Sequence, residues 1–300
     1  MRNLVTGADG FIGSALVAAL GRVDEVRATD RGDGDIADAG HVAALFARPV
    51  DRVFHLAGLP SGATEADYAA GHRVNVAATT LLLRQCRMQV ERGGPLPRLV
   101  YASSIAVFGV PLPARIDDAT VPAPSLSYGT QKRTSELIID DASRRGDVDG
   151  RSLRLAGVVV RRAAPNGALS SFNSDLIREP LSGRDYVCPV GPEATIWITS
   201  LRTAVDNLLR LAAIDASRLG PDRTLTAPVL AVSVADIVAA LGRIEPAAPA
   251  RVRYAPQPAI EAQFARWPLD VGFERAHALG LRTDASLEAL VRNCQEMLAA

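Results

Sequence analysis

Short apolar runs alternate with longer amphipathic ones through the first half of the chain. NLVT (3–6), EVRAT (25–29), RVFHLAG (52–58) and RLVYASS (98–104) have the length and content of strands. Between them, FIGSALVAALG, HVAALFARP and the stretch 72–91 place apolar residues at helical spacing. A further helix is predicted over 127–146, then the strand SLRLAGVVV (152–160). Such alternation predicts a mostly parallel sheet covered on both faces. Beyond residue 160 the pattern loosens. Short helices are predicted near 170–182, 201–214, 234–243 and 287–299, with small strand-like pieces such as YVCPV and TLTA, and a Pro/Ala-rich loop near 245–250. The expected fold is α/β: a doubly wound parallel sheet with a smaller C-terminal α/β lobe closing over the sheet's carboxyl edge, where open sheets bind ligands. The first domain is placed at 1–160 and the lobe at 161–300, with about 195–230 returning to the first domain.

Composition removes several function classes. The chain has 300 residues, 48% of them hydrophobic, with 33 acidic and 33 basic side chains. A large core is therefore available, and nothing in the charge balance points to nucleic acid. No apolar run reaches the length of a membrane span. The first strand begins at Asn3, which leaves no room for a signal peptide, so a cytoplasmic protein is expected. Cys86, Cys188 and Cys294 have neither metal nor disulfide spacing, and His41, His55, His72 and His277 form no ligand pattern; no metal is expected. His55 is read as part of the sheet edge and His72 as helix surface or packing.

TGADGFIG (6–13) lies between the first strand and the first helix, with Gly7, Gly10 and Gly13 three residues apart. Glycines there permit a tight turn and a close backbone approach to a pyrophosphate. The helix beginning at Phe11 and Ile12 offers free N–H groups to the anion. Asp30 follows Gly10 by 20 residues, at the end of the second strand, where a carboxylate accepts hydrogen bonds from the adenosine ribose. It disfavours a 2′-phosphate, so NAD is expected rather than NADP; the adjacent Arg31 works in the opposite sense.

Lys132 is the only lysine of the chain, in SLSYGTQKRTSE (125–136), four residues after Tyr128. On a helix the two share one face. A free phenol, with a pKa of about 10, is a poor base at neutral pH. A neighbouring ammonium favours the phenolate, which then takes or returns a hydroxyl proton while hydride moves to or from a nicotinamide. A guanidinium, broad and fixed in its fork, replaces such a point charge poorly. A hydroxyl, Ser103 or Ser104, waits at the end of the YASS strand.

With these motifs in order, the chain resembles the extended short-chain dehydrogenase/reductase family. The matching pieces are TGADGFIG, Asp30, the Asp35–Ile36 pair, HLAG (55–58), Asn75, YASSIAVFG (101–109), YGTQK (128–132) and SLRLAGVVV. The resemblance implies a Rossmann-type fold and bound NAD. It implies that Ser104, five residues before Gly109, is the catalytic hydroxyl beside Tyr128 and Lys132. Asp35 and Ile36 match an adenine-contacting pair. Leu56, Ala57 and Gly58 match the loop under the cofactor, Asn75 an Asn on its side of the site, and Leu155 to Val158 the segment beside the nicotinamide. The family also implies a homodimer through the helices at 72–91 and 127–146.

Stretches from about 103 to 190, SSIAVFGVPLP, SYGTQK, SRRGDVDGRSLRLAGVVVRRAAPN, SDLIREPLSG and VCPV, resemble the subgroup that oxidises the C2 hydroxyl of D-erythronate with NAD to 2-oxo-tetronate. GLPSGATEAD (58–67) and RRAAPN (161–166) depart from the pattern of that subgroup. A sugar-acid substrate needs a cation, and Arg178 in SDLIREP is the candidate; Asn166 and Trp197 are further pocket candidates. Two other readings stay open. One is a nucleotide-sugar epimerase or dehydratase, although Ile105 and Ala106 follow Ser104 where dehydratases carry acidic groups and Phe108 replaces a common Tyr. The other is a dinucleotide-binding sensor without turnover, against which the retained Ser104, Tyr128 and Lys132 speak.

Overall fold

The structure is a computed structural model that describes residues 1–161, 171–264 and 266–299. Its centre is a six-stranded sheet in the spatial order Glu25–Thr29, Arg2–Thr6, Arg52–His55, Arg98–Ser104, Asp149–Leu155, Thr224–Thr226. Every neighbouring pair is parallel. From the first strand the chain steps outward to Glu25–Thr29, then returns to pair Arg52–His55 on the other side. The strand order therefore reverses beside Arg2–Thr6, and such a reversal opens a crevice at the carboxyl ends. Gly7 and Leu56 leave the sheet at that point. Inner strands are buried almost throughout, whereas the edge strand Glu25–Thr29 is largely exposed, which accounts for its charged residues.

The chain divides into two units. The first comprises Met1–Gly109, Pro122–Leu155 and Val205–Thr226. One part of its core packs Leu4, Val53, Leu82, Leu99, Tyr101 and Ile139 together. Each such side chain taken out of water stabilises the fold by roughly 1.5–3 kcal/mol. The second unit comprises Val110–Val121, Ala156–Ala204 and Ala227–Ala300. It holds a three-stranded sheet, Leu230–Ser233 antiparallel to Thr195–Ser200, which is parallel to Gly157–Val159. Helices Phe172–Leu181, Val234–Ile244 and Leu287–Ala299 contribute Leu176, Ile237 and Leu290 to its core.

Three elements differ from expectation. SLRLAGVVV is two strands, broken at Ala156: Asp149–Leu155 lies in the six-stranded sheet and Gly157–Val159 in the three-stranded one. Gly157 permits the close approach there, since a Cβ would lie 2.7 Å from Asn173 Nδ2 and 3.0 Å from the Trp197 carbonyl. The strand in RVFHLAG ends at His55, and Leu56–Gly58 is loop. The stretch 72–91 contains a π-helical turn, Arg73–Ala77, before the α-helix Ala78–Glu91.

Candidate active site

The glycine turn is sterically obligatory. Gly7 has φ +71°, and a Cβ on it would lie 2.6 Å from Ala57 N and 2.8 Å from the Leu56 carbonyl carbon. A Cβ on Gly13 would sit 2.0 Å from the Gly7 carbonyl oxygen. Only bare backbone lets the turn, the helix and the Leu56–Gly58 loop meet. The helix Phe11–Leu20 begins at Gly10 with no side-chain cap, so its first N–H groups remain available to an anion. This cradle fits a dinucleotide pyrophosphate. Phe11 and Ile12 form the first turn and are partly exposed.

Asp30 sits at the carboxyl end of the edge strand. Its carboxylate accepts from Asp9 N at 2.9 Å and Arg31 N at 2.7 Å, which fixes it beside the glycine turn. Asp35 is paired with Arg73 and accepts from Ala37 N at 2.9 Å. These bonds, the one to Arg73 first, hold its carboxyl below the usual range. Ile36 is partly buried against the first unit's core.

Asn75 lies in the π-helical turn, a deviation frequent at functional sites. It is buried, and its amide clamps Leu59, accepting from the N–H at 2.8 Å and donating to the carbonyl at 3.2 Å. Asn75 thus anchors the residue that follows the Leu56–Gly58 loop. A Cβ on Gly58 would lie 3.2 Å from Asn75 Oδ1 and 3.3 Å from Lys132 Nζ, so three separate segments converge there.

Ser104 ends the strand Arg98–Ser104 and Tyr128 opens the helix Ser127–Arg144. Gly129 brings the two elements together: a Cβ on it would lie 2.0 Å from the Ala106 carbonyl oxygen. Ser104 Oγ accepts from Ala106 N at 3.1 Å, which leaves its O–H to donate elsewhere. Ser103 instead donates to Glu136 Oε1 at 2.6 Å inside the protein. The two serines alternate across the strand, and the more exposed one is Ser104. Lys132 is 3% exposed and donates to the Ala102 carbonyl at 2.8 Å. Its Nζ stands 4.6 Å from the Tyr101 ring centre and 5.7 Å from that of Tyr128. Burial pushes the ammonium down to about 8.

His55 is an interior group with both ring nitrogens engaged, Nδ1 at 2.7 Å from Thr6 Oγ1 and Nε2 at 3.1 Å from Thr79 Oγ1. Burial, then the Lys132 charge, lowers it to about 3, so it is neutral. His72 ends an exposed helical turn.

The residues expected to meet substrate fare differently. Trp197 is 1% exposed, donates from Nε1 to the Pro268 carbonyl at 2.7 Å, and packs on Trp267 and Phe273. It is a core residue of the second unit rather than a pocket wall, because both its rings and its one donor are used. Arg178 is also buried. Its guanidinium donates to Asp175 Oδ1 at 2.5 Å, Glu179 Oε1 at 2.8 Å and the Arg161 carbonyl at 2.6 Å. A sugar-acid carboxylate would meet two carboxylates already on that fork, so the expectation for Arg178 is withdrawn. Asn166 lies outside the described residues. Leu155 and Val158, on either side of the Ala156 break, are both buried.

Sequence reasoning missed Glu65. Its carboxylate accepts from Ser127 N at 2.7 Å and Tyr128 N at 3.4 Å, capping the helix that carries Tyr128 and Lys132. The departure of GLPSGATEAD from the family pattern was the available signal.

A glycine cradle at a strand reversal, an acidic residue ending the second strand and a Tyr/Lys helix beside a serine-tipped strand define a dinucleotide-binding oxidoreductase. The chain belongs to the NAD dependent epimerase/dehydratase family, whose profile matches residues 3–199. It is similar to D-erythronate dehydrogenase from Cupriavidus necator, 42% identical over 264 residues that cover 88% of this chain and 80% of that one. Its likeness to D-erythronate dehydrogenase from Haemophilus influenzae is 31% over 312 residues, covering 97% and 98%. Among solved structures, the nucleoside-diphosphate-sugar epimerase from Agrobacterium tumefaciens superposes with a TM-score of 0.89 at 33% identity, covering 97% of this chain and 92% of that one. The holo form of a GalE-like L-threonine dehydrogenase from Cupriavidus necator, at 24% identity and a TM-score of 0.87, shares the fold. Family and dehydrogenase relatives together make the chain an NAD-dependent oxidoreductase.

Proposed function

We propose that the chain oxidises the C2 hydroxyl of a small sugar acid, D-erythronate, to 2-oxo-tetronate. The observation that carries this reading is the 42% identity to a D-erythronate dehydrogenase across 88% of the chain, joined to a buried Lys132 beside Tyr128. Gly7, Gly10, Gly13 and the start of the helix Phe11–Leu20 would hold the pyrophosphate of NAD, Asp30 the adenosine ribose, and Leu56–Gly58 the face of the cofactor. Bound NAD supplies the hydride acceptor.

The chain's own residues move and hold the proton. Tyr128, as phenolate, takes it from the C2 hydroxyl. Ser104 donates its O–H to the same oxygen and stabilises the charge that develops there. Lys132 favours the phenolate by its charge and is held in place by the Ala102 carbonyl.

A nucleotide-sugar epimerase is the second reading, favoured by the name of the 33% identical solved structure. The higher identity to dehydrogenases supports the first. The test is a pair of variants, Tyr128→Phe and Ser104→Ala. Each is expected to lower kcat for D-erythronate oxidation roughly 10²–10⁴-fold, with NAD affinity, read by fluorescence titration, unchanged. Near-wild-type turnover by Tyr128→Phe would refute the assigned role.

A further inference from the structure

The mechanism above makes no use of the most buried carboxylate near the site. Glu136 is 0% exposed and lies one helical turn beyond Lys132 on the same helix. Three side chains hold it through four hydrogen bonds. Arg154 binds it with both faces of its fork, Nε to Oε1 and Nη2 to Oε2, each at 2.9 Å. Ser103 Oγ donates to Oε1 at 2.6 Å, and Arg133 Nη1 to Oε2 at 2.9 Å. Ser103 precedes Ser104, and Arg154 precedes Leu155. One side chain thus joins the helix of Tyr128 and Lys132 to the two adjacent strands that end in Ser104 and Leu155.

We propose that Glu136 is a positioning residue for the oxidation, a buried carboxylate that helps hold Lys132 charged and ties the helix bearing Tyr128 and Lys132 to the strand bearing Ser104. The inference rests on the roles given to Tyr128 and Lys132. Lys132 is faced on its own helix by Tyr128 and Glu136. From the strand Arg98–Ser104 it meets the Tyr101 ring and the Ala102 carbonyl, and from the neighbouring strand the neutral His55. Asn75 and Gly58 close the remaining side. While Tyr128 is protonated, Glu136 is the one anion in that set. Desolvation pulls Lys132 down and Glu136 pushes it back up. A buried lysine that lost its proton would lose the charge that favours the Tyr128 phenolate, so the carboxylate keeps the site charged at neutral pH.

The chain offers a direct assay, because it contains a single lysine. Protein made with side-chain ¹³C-labelled lysine gives one set of lysine signals, whose chemical shift titrates with Lys132 and requires neither cofactor nor turnover. The wild type is expected to titrate at about 8. Glu136→Gln, which keeps the shape and removes the charge, should move the midpoint down by about one pH unit or more. Arg154→Gln loosens the same junction but leaves the carboxylate charged, so its midpoint should stay at or above that of the wild type. If Glu136→Gln is too unstable, the double variant Glu136→Gln/Arg154→Met removes the ion pair without stranding a buried guanidinium and should show the same downward shift. The alkaline limb of the D-erythronate rate profile should follow these midpoints. An unchanged midpoint in Glu136→Gln, or an equal downward shift in Arg154→Gln, would overturn the proposal. Absence of D-erythronate turnover in a wild type whose lysine midpoint responds as described would instead sink the substrate reading alone.

Discussion

Lys132 shows how much one residue can carry. Its isolation among 32 arginines and its spacing from Tyr128 were legible from the chain. Its environment was not, because the Tyr101 ring and the Ala102 carbonyl come from a strand about thirty residues earlier. That environment has a cost. A folded-state value near 8, against 10.5 for an ordinary lysine, means that the unfolded chain binds the proton more tightly. Below pH 8 Lys132 is charged in both states and its burial destabilises the fold. Above about 10.5 it is neutral in both and the penalty disappears. Lys132→Met should therefore abolish turnover yet raise the thermal midpoint at pH 7, with the gain shrinking to nothing by pH 11. A Met variant less stable than wild type at pH 7 would show that the bond to Ala102 outweighs desolvation. The same logic explains why His55, polar by type, is inert: burial, then the Lys132 charge, keeps it neutral, and two threonine hydroxyls engage its ring nitrogens.

Among the elements, the helix Ser127–Arg144 is the one on which the site depends. Its existence was legible from its periodicity, and Gly129 accounts for its approach to the loop after Ser104. Its N-terminal cap was hidden, since the Leu126 side chain cannot accept a hydrogen bond and Glu65 comes from 62 residues earlier. Glu65→Ala should lower unfolding free energy by about 1 kcal/mol in a denaturant titration and reduce kcat, since the freed turn contains Tyr128. Glu65→Gln should recover part of both losses. No change in either would make the cap incidental. The π-helical turn at Arg73–Ala77 was equally hidden, as its apolar spacing is that of an ordinary helix. The break in SLRLAGVVV escaped because both halves are apolar; only the close approach at Gly157 separates them.

At the scale of the whole molecule, alternation of strand and helix was enough to predict the parallel sheet, because strands buried on both faces read as continuous apolar runs. The allocation of later segments was harder. Val110–Val121, expected in the first domain, belongs to the second unit, an exchange set by tertiary contacts rather than by local pattern. Substrate residues suffered most from this. Arg178 and Trp197 carry attractive side chains in the sequence, and the structure spends both on the second unit's own interior. The residues proposed to hold the cofactor and move the proton, by contrast, sit in short motifs that are recognisable in the sequence. The central claim is that this scaffold removes a hydride from C2 of a sugar acid and delivers it to NAD. It is tested most directly with D-erythronate deuterated at C2, incubated with the purified protein and NAD. The account predicts one deuterium in the reduced nicotinamide for each 2-oxo-tetronate formed. Deuterium that stays on the sugar acid, with no reduced nicotinamide accumulating, would contradict it.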